Sequence, residues 1–381
     1  MRLADRPYNL PGFNFEKAEV REYVSRVVRD LVENYDYDGF QMEWNRTPLC
    51  CEPDASQETA DMMTDWHAEV RAVTKAKAKA TGKEYTVGMK YVGSWDQLRS
   101  IGLDVRTMVD RGLLDFVAPS NFWQSSWDIA CDELREAVGP DVAVYGSIEF
   151  SPNYLHGYFP GQKQGNTSLG KELPVCYRLT PLCPPLLRGN AAAKLVLGVD
   201  GLEIYNYPCA DSPSHWPWTD EPGCADYAAL RGSDDLAGLR GQEKAYTLST
   251  QTGYYIVPPW DTVAHFPGVL GPGEARLCRL PMCAEPEDGD LEFVIQVVVG
   301  KTEDAGVVAI MLNGSWPRVD GVLDDRLLFA VSTMTHHTPD HVGVNFVFPV
   351  SVIREGWNEI VVMHGTAKDH WAEQVGAEVS V

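Results

Sequence analysis

Helix-type and strand-type hydrophobic patterns alternate through the first 210 or so residues of the chain. Short apolar runs, which we interpret as strands, lie at 38–44, 85–91, 113–119, 142–149 and 201–206. Between and before them, apolar residues recur with helical spacing at 19–34, 55–81, 104–111, 126–138 and 189–198. This alternation predicts parallel α/β architecture.

The longest predicted helix, 55–81, carries capping signals at both ends. Asp54 and Gln57 have the spacing of an N-terminal capping pair, and Gly82 is placed to end the helix. A repeated turn also supports a βα array, because Asp-Gly followed by an apolar residue precedes the strand both at 38–40 and at 200–202.

Five βα units are fewer than a closed barrel needs. A (β/α)₈ barrel has eight strands and usually about 250 residues. We therefore expect an α/β fold of (β/α) TIM-barrel type that lacks its first three strands. Because the chain opens almost directly on a helix, the prediction places the shortfall at the amino end, through truncation or a misplaced start codon.

A different pattern begins near residue 250, where β-branched and aromatic runs alternate with Gly, Pro, Asp and Asn. The clearest runs are Leu291–Val299, Val307–Leu312, Leu327–Val331, Val344–Val350 and Glu359–Met363. They predict an all-β, antiparallel sandwich. We thus expect a partial, catalytic (β/α) barrel over 1–245 and an accessory β-sandwich over 250–381.

Two glutamates end predicted strands of the barrel. Glu43 closes the run 38–44, and Glu149 closes the run 142–149. Side chains alternate along a strand, so Phe40 and Met42 would face outward and Gln41 with Glu43 inward; the same count turns Glu149 inward. Active sites of such barrels form at the carboxyl ends of the strands, and we expect the two carboxylates to converge there.

A pair of carboxyl groups is the chemical requirement of a glycosidase. One protonates the leaving oxygen, and the other acts as nucleophile or base. We assign Glu43 as acid/base and Glu149 as nucleophile, although either could instead be a salt-bridge partner at the rim. Glu203 also faces inward but lies early in its strand, so we interpret it as a buried partner of Lys90 or Arg46.

Further polar and aromatic residues at the strand ends are candidates for binding sugar hydroxyls and stacking on sugar rings. These predicted substrate-binding residues are Trp44, Arg46, Lys90, Tyr91, Asn121, Trp123, Tyr205 and Asn206.

The net charge and hydropathy of the chain argue against nucleic acid and membranes as its partners. The 381 residues carry a formal net charge of −22 with only 32 Lys and Arg, which argues against a nucleic-acid surface. The sequence has neither an apolar run long enough to span a membrane nor an apolar leader at its start. These features do not assign a cellular location; if the amino end is authentic, we expect the cytoplasm.

The cysteine and histidine patterns predict no metal site, and the predicted hydrolysis is expected to need no organic cofactor. Nine cysteines occur without doubled C-x-x-C spacing, and we interpret them as mostly free thiols in a reducing compartment. The histidines include no H-x-H or H-E-x-x-H motif.

Three segments resemble uncharacterised bacterial glycoside-hydrolase-like TIM-barrel proteins: Tyr35–Pro48, Ile101–Trp123 and Leu197–Tyr207. The resemblance covers about residues 15–210, and the β region is similar to the small β-domains that often follow such barrels. In those relatives the first motif usually ends its strand on aspartate, where this chain has Glu43. The resemblance implies that Glu43 and Glu149 face a sugar, and that the visible strands are the fourth to eighth of a barrel.

The resulting prediction is hydrolysis of an O-glycosidic bond in an oligosaccharide or glycoside, with retention of configuration favoured only by analogy. Two alternatives stay open. One is a non-catalytic carbohydrate-binding protein on a degenerate barrel. The other is an interaction module whose acidic β region docks a protein partner.

Overall fold

A computed structural model describes residues 12–45, 48–121, 125–149, 184–205, 227–248, 270–287, 290–300, 308–324 and 341–365. Within these ranges the first half of the chain alternates helices with strands. The strands are β1 Gly39–Trp44, β2 Thr86–Val92, β3 Phe116–Ser120, β4 Ala143–Glu149 and β5 Gly201–Tyr205. The helices are α1 Ala18–Asn34, α2 Gln57–Thr81, α3 Trp95–Arg99, α4 Val105–Asp110, α5 Cys131–Val138, α6 Pro184–Leu195 and α7 Leu236–Leu239.

The five strands form one sheet in chain order, and each neighbouring pair is parallel. This confirms the predicted mixed α/β architecture and the five strand positions to within a few residues. The helices connect successive strands, which is the arrangement that parallel pairing requires.

The sheet is strongly curved. In a flat sheet, β1 and β5 would lie about 19 Å apart, because neighbouring strands are separated by about 4.8 Å. Nε2 of Gln41 in β1 nevertheless donates a hydrogen bond of 3.0 Å to Oε2 of Glu203 in β5. The first and fifth strands therefore face each other across a concave inner surface.

Strands β1 and β5 are also offset from each other along their lengths. The residues in register with Gln41 on the successive strands are Gly88, Phe116 and Ala143. On the fifth strand this register continues back to Val199, four residues before Glu203. The two residues that meet across the concave face are therefore offset by about four positions along their strands. The described residues form an arc, without a closed barrel.

The outer face of the arc packs against the helices. Phe40 and Met42 lie against the apolar cluster that contains Val87, Met89 and Val117 of the neighbouring strands. The inner face at the amino end of the strands is filled by Phe116 and Tyr145, whose ring centroids are 5.3 Å apart. Aromatic packing therefore fills this part of the inner face.

Three helix starts differ from the prediction, and one of them is α6, which runs over Pro184–Leu195 and not 189–198. Ser56, and not Asp54, caps α2 by accepting from the backbone N–H of Thr59, because Asp54 has a left-handed φ of 61° that ends the preceding loop. Helix α5 begins at Cys131 and not at 126, because residues 125 and 126 are engaged by β4 and α6. Gly82 ends α2 in a left-handed conformation, as predicted.

The second half of the chain forms two three-stranded antiparallel sheets. Their orders are β7-β10-β9 and β6-β11-β8. The strands are β6 Ala275–Met282, β7 Phe293–Gly300, β8 Val308–Leu312, β9 Val319–Asp324, β10 His341–Phe348 and β11 Gly356–His364. Four of them match predicted runs, β6 and β9 were not predicted, and the run Leu327–Val331 lies outside the described residues.

Side chains from both antiparallel sheets meet in one apolar cluster. Leu280, Ile310 and Ile360 come from one sheet, and Val344 with Phe346 from the other. The same cluster takes in Leu186, Leu187 and Ala191 of α6. The α/β part and the β part therefore share buried surface, while the boundary near residue 245 stays a prediction.

Among the helices of the described ranges, none is long and apolar enough to cross a membrane. Cys50, Cys51, Cys131, Cys278 and Cys283 are free and buried.

Candidate functional site

Lys90 lies at the centre of the inner face. Its side chain is fully buried, and its Nζ donates to Oγ of Ser147 at 2.6 Å and to Oε1 of Glu203 at 2.9 Å. The ammonium also lies 4.1 Å from the ring centroid of Tyr205, a cation–π distance. Side chains of β2, β4 and β5 are thus tied together by one cation.

Glu203 is the ionic partner of Lys90, as predicted from its early place in the strand. Its other oxygen accepts from Gln41, so both carboxylate oxygens are hydrogen-bonded to strands on other sides of the arc. This engagement supports the interpretation of Glu203 as a partner of Lys90.

Glu43 is exposed at the carboxyl end of β1. Its Oε1 accepts a hydrogen bond of 3.2 Å from the hydroxyl of Tyr205. This contact again joins β1 to β5 across the concave face. The ring of Tyr205 also lies against the ammonium of Lys90. This contact helps to set the direction of the Tyr205 hydroxyl.

Glu149 ends β4 and is buried, with 1% of its surface exposed. Its Cα is in register with that of Tyr205 on the neighbouring strand. Parallel neighbours in register present their side chains on the same face, so Glu149 and Tyr205 share the inner face. Since Tyr205 reaches Glu43, this one tyrosine links the neighbourhoods of both predicted catalytic glutamates.

The loop after β3 fixes the backbone of Glu149. Oγ of Ser125 accepts from the N–H of Glu149 and donates to its carbonyl oxygen, both at 2.8 Å. The next residue, Ser126, offers its carbonyl oxygen to Nζ of Lys194 at 2.7 Å and to Nδ2 of Asn190 at 3.4 Å. Helix α6 thus fixes the loop that contains Ser125 and Ser126, and this loop in turn fixes the end of β4.

Lys194 is fully buried within α6, one turn after Asn190. Burial lowers the pKa of its ammonium to about 8, while Cys131 and Asp128 act in the opposite direction. The aliphatic stem of Lys194 packs over Gly146 of β4, where an added Cβ would lie 2.6 Å from the stem. Position 146 must therefore be glycine for Lys194 to reach the loop.

Two predicted binding residues lie on the other face of the sheet. Trp44 is buried against Phe15 and Trp66, with ring centroids 5.2 and 6.4 Å away. Tyr91 is 1% exposed in the same outer cluster, and its hydroxyl accepts from Nε1 of Trp95 at 2.8 Å. The structure does not bring either of them to the inner face, because each directly follows an inward-facing residue.

The remaining predicted binding residues divide into two groups. Lys90 and Tyr205 are part of the inner network, and Asn121 lies just after β3, where its Nδ2 donates to Oγ of Ser126. Arg46, Trp123 and Asn206 lie outside the described residues.

Sequence reasoning missed the serine pair at 125–126 and Lys194. A signal was present for Lys194, because a single lysine in the apolar segment Ala191–Leu195 of a helix is conspicuous. The serine pair carries no comparable signal, since its partners are distant in sequence. In the ranges that the structure describes, no group of His, Cys, Asp or Glu is arranged to hold a metal ion.

Comparisons with known proteins give distant likenesses only. No protein-family model matches the chain, and no curated protein does. Several solved structures match the chain distantly, and three of them are enzymes that act on glycosides. A glycoside hydrolase family 18 N-acetylglucosaminidase from Paenibacillus barengoltzii has a TM-score of 0.25 and 16% identity, covering 35% of this chain and 45% of that one.

The other two are chitinases. A multi-modular, cell-surface-expressed chitinase from a Paenibacillus species has a TM-score of 0.37 and 13% identity, covering 87% of this chain and 40% of that chain. A chitinase from Bacillus thuringiensis has a TM-score of 0.36 and 10% identity, covering 92% and 76%. The chain thus spans less than half the length of the first two, and all three TM-scores lie below 0.5.

Proposed function

We propose that the chain is a glycoside hydrolase that cleaves an O-glycosidic bond, with Glu43 as acid/base and Glu149 as nucleophile. The observation that carries the proposal is the position of Tyr205. Its hydroxyl donates to Glu43, while its Cα is paired with that of Glu149. Glu43 through a hydrogen bond and Glu149 through strand pairing are thus each related to one tyrosine at the carboxyl end of the arc, which supports a shared site.

The two carboxyl groups have unequal surroundings, which the mechanism requires. Glu43 is exposed and bonded to a phenol, whereas Glu149 is buried and its backbone is clamped by Ser125. Glycoside hydrolysis needs one carboxyl group to give a proton while the other is anionic. A rigid backbone at Glu149 suits a nucleophile, whose attack depends on position to within about 1 Å.

The first test is an activity screen on a panel of aryl glycosides. We expect Glu43→Gln and Glu149→Gln each to lower kcat/KM by about a hundredfold or more, since each removes a proton-transfer group or nucleophile. Glu136→Gln is the matched control, because Glu136 is an exposed glutamate on α5. Equal rates in the parent and both active-site variants would remove Glu43 and Glu149 from the site.

Chemical rescue tests the division of roles. In a retaining enzyme, azide added to a nucleophile variant attacks the sugar from the vacated face and gives an azide product of inverted configuration. Azide added to an acid/base variant attacks the glycosyl-enzyme and gives retained configuration. We expect inversion with Glu149→Ala and retention with Glu43→Ala; the opposite pair of products would exchange the two assignments.

The carbohydrate-binding alternative predicts a different result in the same screen. A non-catalytic protein would hydrolyse no glycan and would bind oligosaccharides equally well as parent and as Glu149→Gln. Calorimetric titration of both proteins with the panel separates this outcome from hydrolysis.

A further inference from the structure

The backbone of Glu149 is held in part by a side chain and not by a neighbouring strand. In the described residues, the pairing of β3 with β4 stops at Val117 and Val144. On the side that faces β3, the carboxyl end of β4 is therefore not held by strand pairing. Oγ of Ser125 takes that place, since it accepts from the N–H of Glu149 and donates to its carbonyl oxygen, both at 2.8 Å.

The position of Ser125 depends in turn on the peptide group that follows it. The carbonyl oxygen of Ser126 accepts from Nζ of Lys194 at 2.7 Å and from Nδ2 of Asn190 at 3.4 Å. The second distance is long for an N–H···O hydrogen bond, whereas the first is short and its donor is an amine that can carry a positive charge. Lys194 is therefore the principal donor that fixes this loop from α6.

Helix α6 presents Lys194 as a restrained donor. The side chain is fully buried, and its stem crosses β4 over Gly146, where no Cβ obstructs it. Earlier in the same helix, Gly189 lies against the backbone of Ala245, and an added Cβ would be 1.9 Å from that carbonyl oxygen. Contacts on two sides of α6 thus restrict where the amine can be.

A continuous series of contacts therefore connects α6 with the end of β4. We propose that Lys194 is a positioning residue for Glu149. Through Ser126 and Ser125 it fixes the strand end from which the Glu149 carboxylate attacks the sugar, without touching the substrate itself. This inference rests on the proposed function, because it takes Glu149 to be the nucleophile. An error of about 1 Å in the position of a reacting group can lower the rate by about a hundredfold, so loss of the contact should be visible in kcat.

Lys194→Met tests this role, because it keeps most of the aliphatic stem and removes the donor to Ser126. On the aryl glycoside that the parent cleaves fastest, we expect kcat to fall by about 10- to 100-fold and KM to change by less than about threefold. Lys79→Met, at an exposed lysine of α2, is the matched control and should leave both constants unchanged. A kcat for Lys194→Met within about threefold of the parent value would overturn the proposal. It would mean that the buried side chain of Trp127 is enough to anchor the loop.

A double-mutant cycle shows whether Lys194 acts through Ser125. Ser125→Ala removes the hydroxyl that binds the backbone of Glu149 and should lower kcat by a similar factor. Because both residues belong to one series of contacts, Lys194→Met should lower kcat by less than about threefold more in the Ser125→Ala protein. Losses that multiply would overturn the proposal, since they would show two independent effects.

A second variant covers the case in which Lys194→Met does not fold, as judged by circular dichroism. Lys194→Gln then takes its place in every comparison. Its amide nitrogen is one bond nearer the backbone than Nζ, so it falls short of the carbonyl oxygen of Ser126, and the same results are expected.

Hydrogen exchange separates this inference from the proposed hydrolysis. The N–H of Glu149 donates to Ser125, so Lys194→Met should accelerate exchange at this amide by about tenfold or more, with the amides of β2 unaffected. If the parent cleaves no glycoside, the proposed hydrolysis is wrong, yet faster exchange confined to the end of β4 would still uphold the effect of Lys194 on Glu149. Unchanged exchange at Glu149, or equal acceleration in β2, would overturn the inference whether or not the parent is active.

Discussion

Replacement of Lys90 by methionine tests the ion network on the inner face. Lys90→Met keeps most of the aliphatic stem and removes the ammonium that is bonded to Ser147 and Glu203. The side chain of Lys90 is fully buried, and that of Glu203 is only 22% exposed. The variant therefore leaves a carboxylate in a poorly solvated position without its cation.

The expected magnitude follows from what Glu203 retains. Removing one partner of a buried ion pair typically destabilises a protein by about 3–5 kcal/mol, because the remaining charge is uncompensated. Glu203 keeps the hydrogen bond from Gln41 and some access to water. We therefore expect the lower end, a loss of about 3 kcal/mol in the free energy of unfolding.

Urea denaturation followed by tryptophan fluorescence measures this loss as a lower midpoint with an unchanged slope. The double variant Lys90→Met/Glu203→Leu should recover most of the stability, since replacing both members of a buried pair by apolar groups is often neutral or stabilising. Ser147 keeps its hydroxyl in both proteins, so the comparison isolates the orphaned carboxylate.

An exposed ion pair provides the control. Arg318 and Glu292 are each 62% exposed and lie 3.0 Å apart, and Arg318→Met should change the free energy of unfolding by less than about 1 kcal/mol. A loss of less than about 1 kcal/mol for Lys90→Met, or a double variant no more stable than the single one, would refute the reasoning.

The remaining predictions concern His67 and Tyr205. Burial lowers the pKa of His67 from its ordinary value of 6.5 to about 4, so between these pH values the unfolded chain binds a proton that the folded protein excludes. The free energy of unfolding should consequently fall by about 3 kcal/mol as pH drops from 6.5 to 4. Urea denaturation at several pH values in this range should show a smaller fall for His67→Gln. The same pH dependence of stability in both proteins would contradict the assignment. Tyr205→Phe removes the donor to Glu43 and should lower kcat/KM by about 10- to 100-fold with little change in Tm; unchanged kinetics would exclude a role for the hydroxyl.

The inner and outer faces of the strands could be predicted because a strand has a period of two. Gln41 and Glu43 were expected inside, and each bonds a residue of the opposite strand there. The same alternation explains why Trp44 lies outside. Its neighbour faces inward, so the indole can only pack against the helices, however suitable an aromatic strand end is for a sugar.

Contacts between distant segments could not be predicted. The late start of α5 depends on Ser125 and Ser126, whose partners lie on β4 and α6. Local sequence favours continuing the helix back to residue 126, and the tertiary hydrogen bonds override it. The missed strands β6 and β9 have a similar cause, because a proline in one and aspartates in the other weaken their strand pattern while pairing with β11 and β10 supplies it.

Different kinds of contact hold the strands of the arc together at their amino and carboxyl ends. At the amino end, Phe116 and Tyr145 pack face to edge, and Gly88 leaves room for the Phe116 ring, so this end contributes apolar burial. At the carboxyl half, Lys90 joins Ser147 and Glu203, and Tyr205 joins Glu43. Polar contacts, and not apolar packing, therefore connect the strands across this part of the arc.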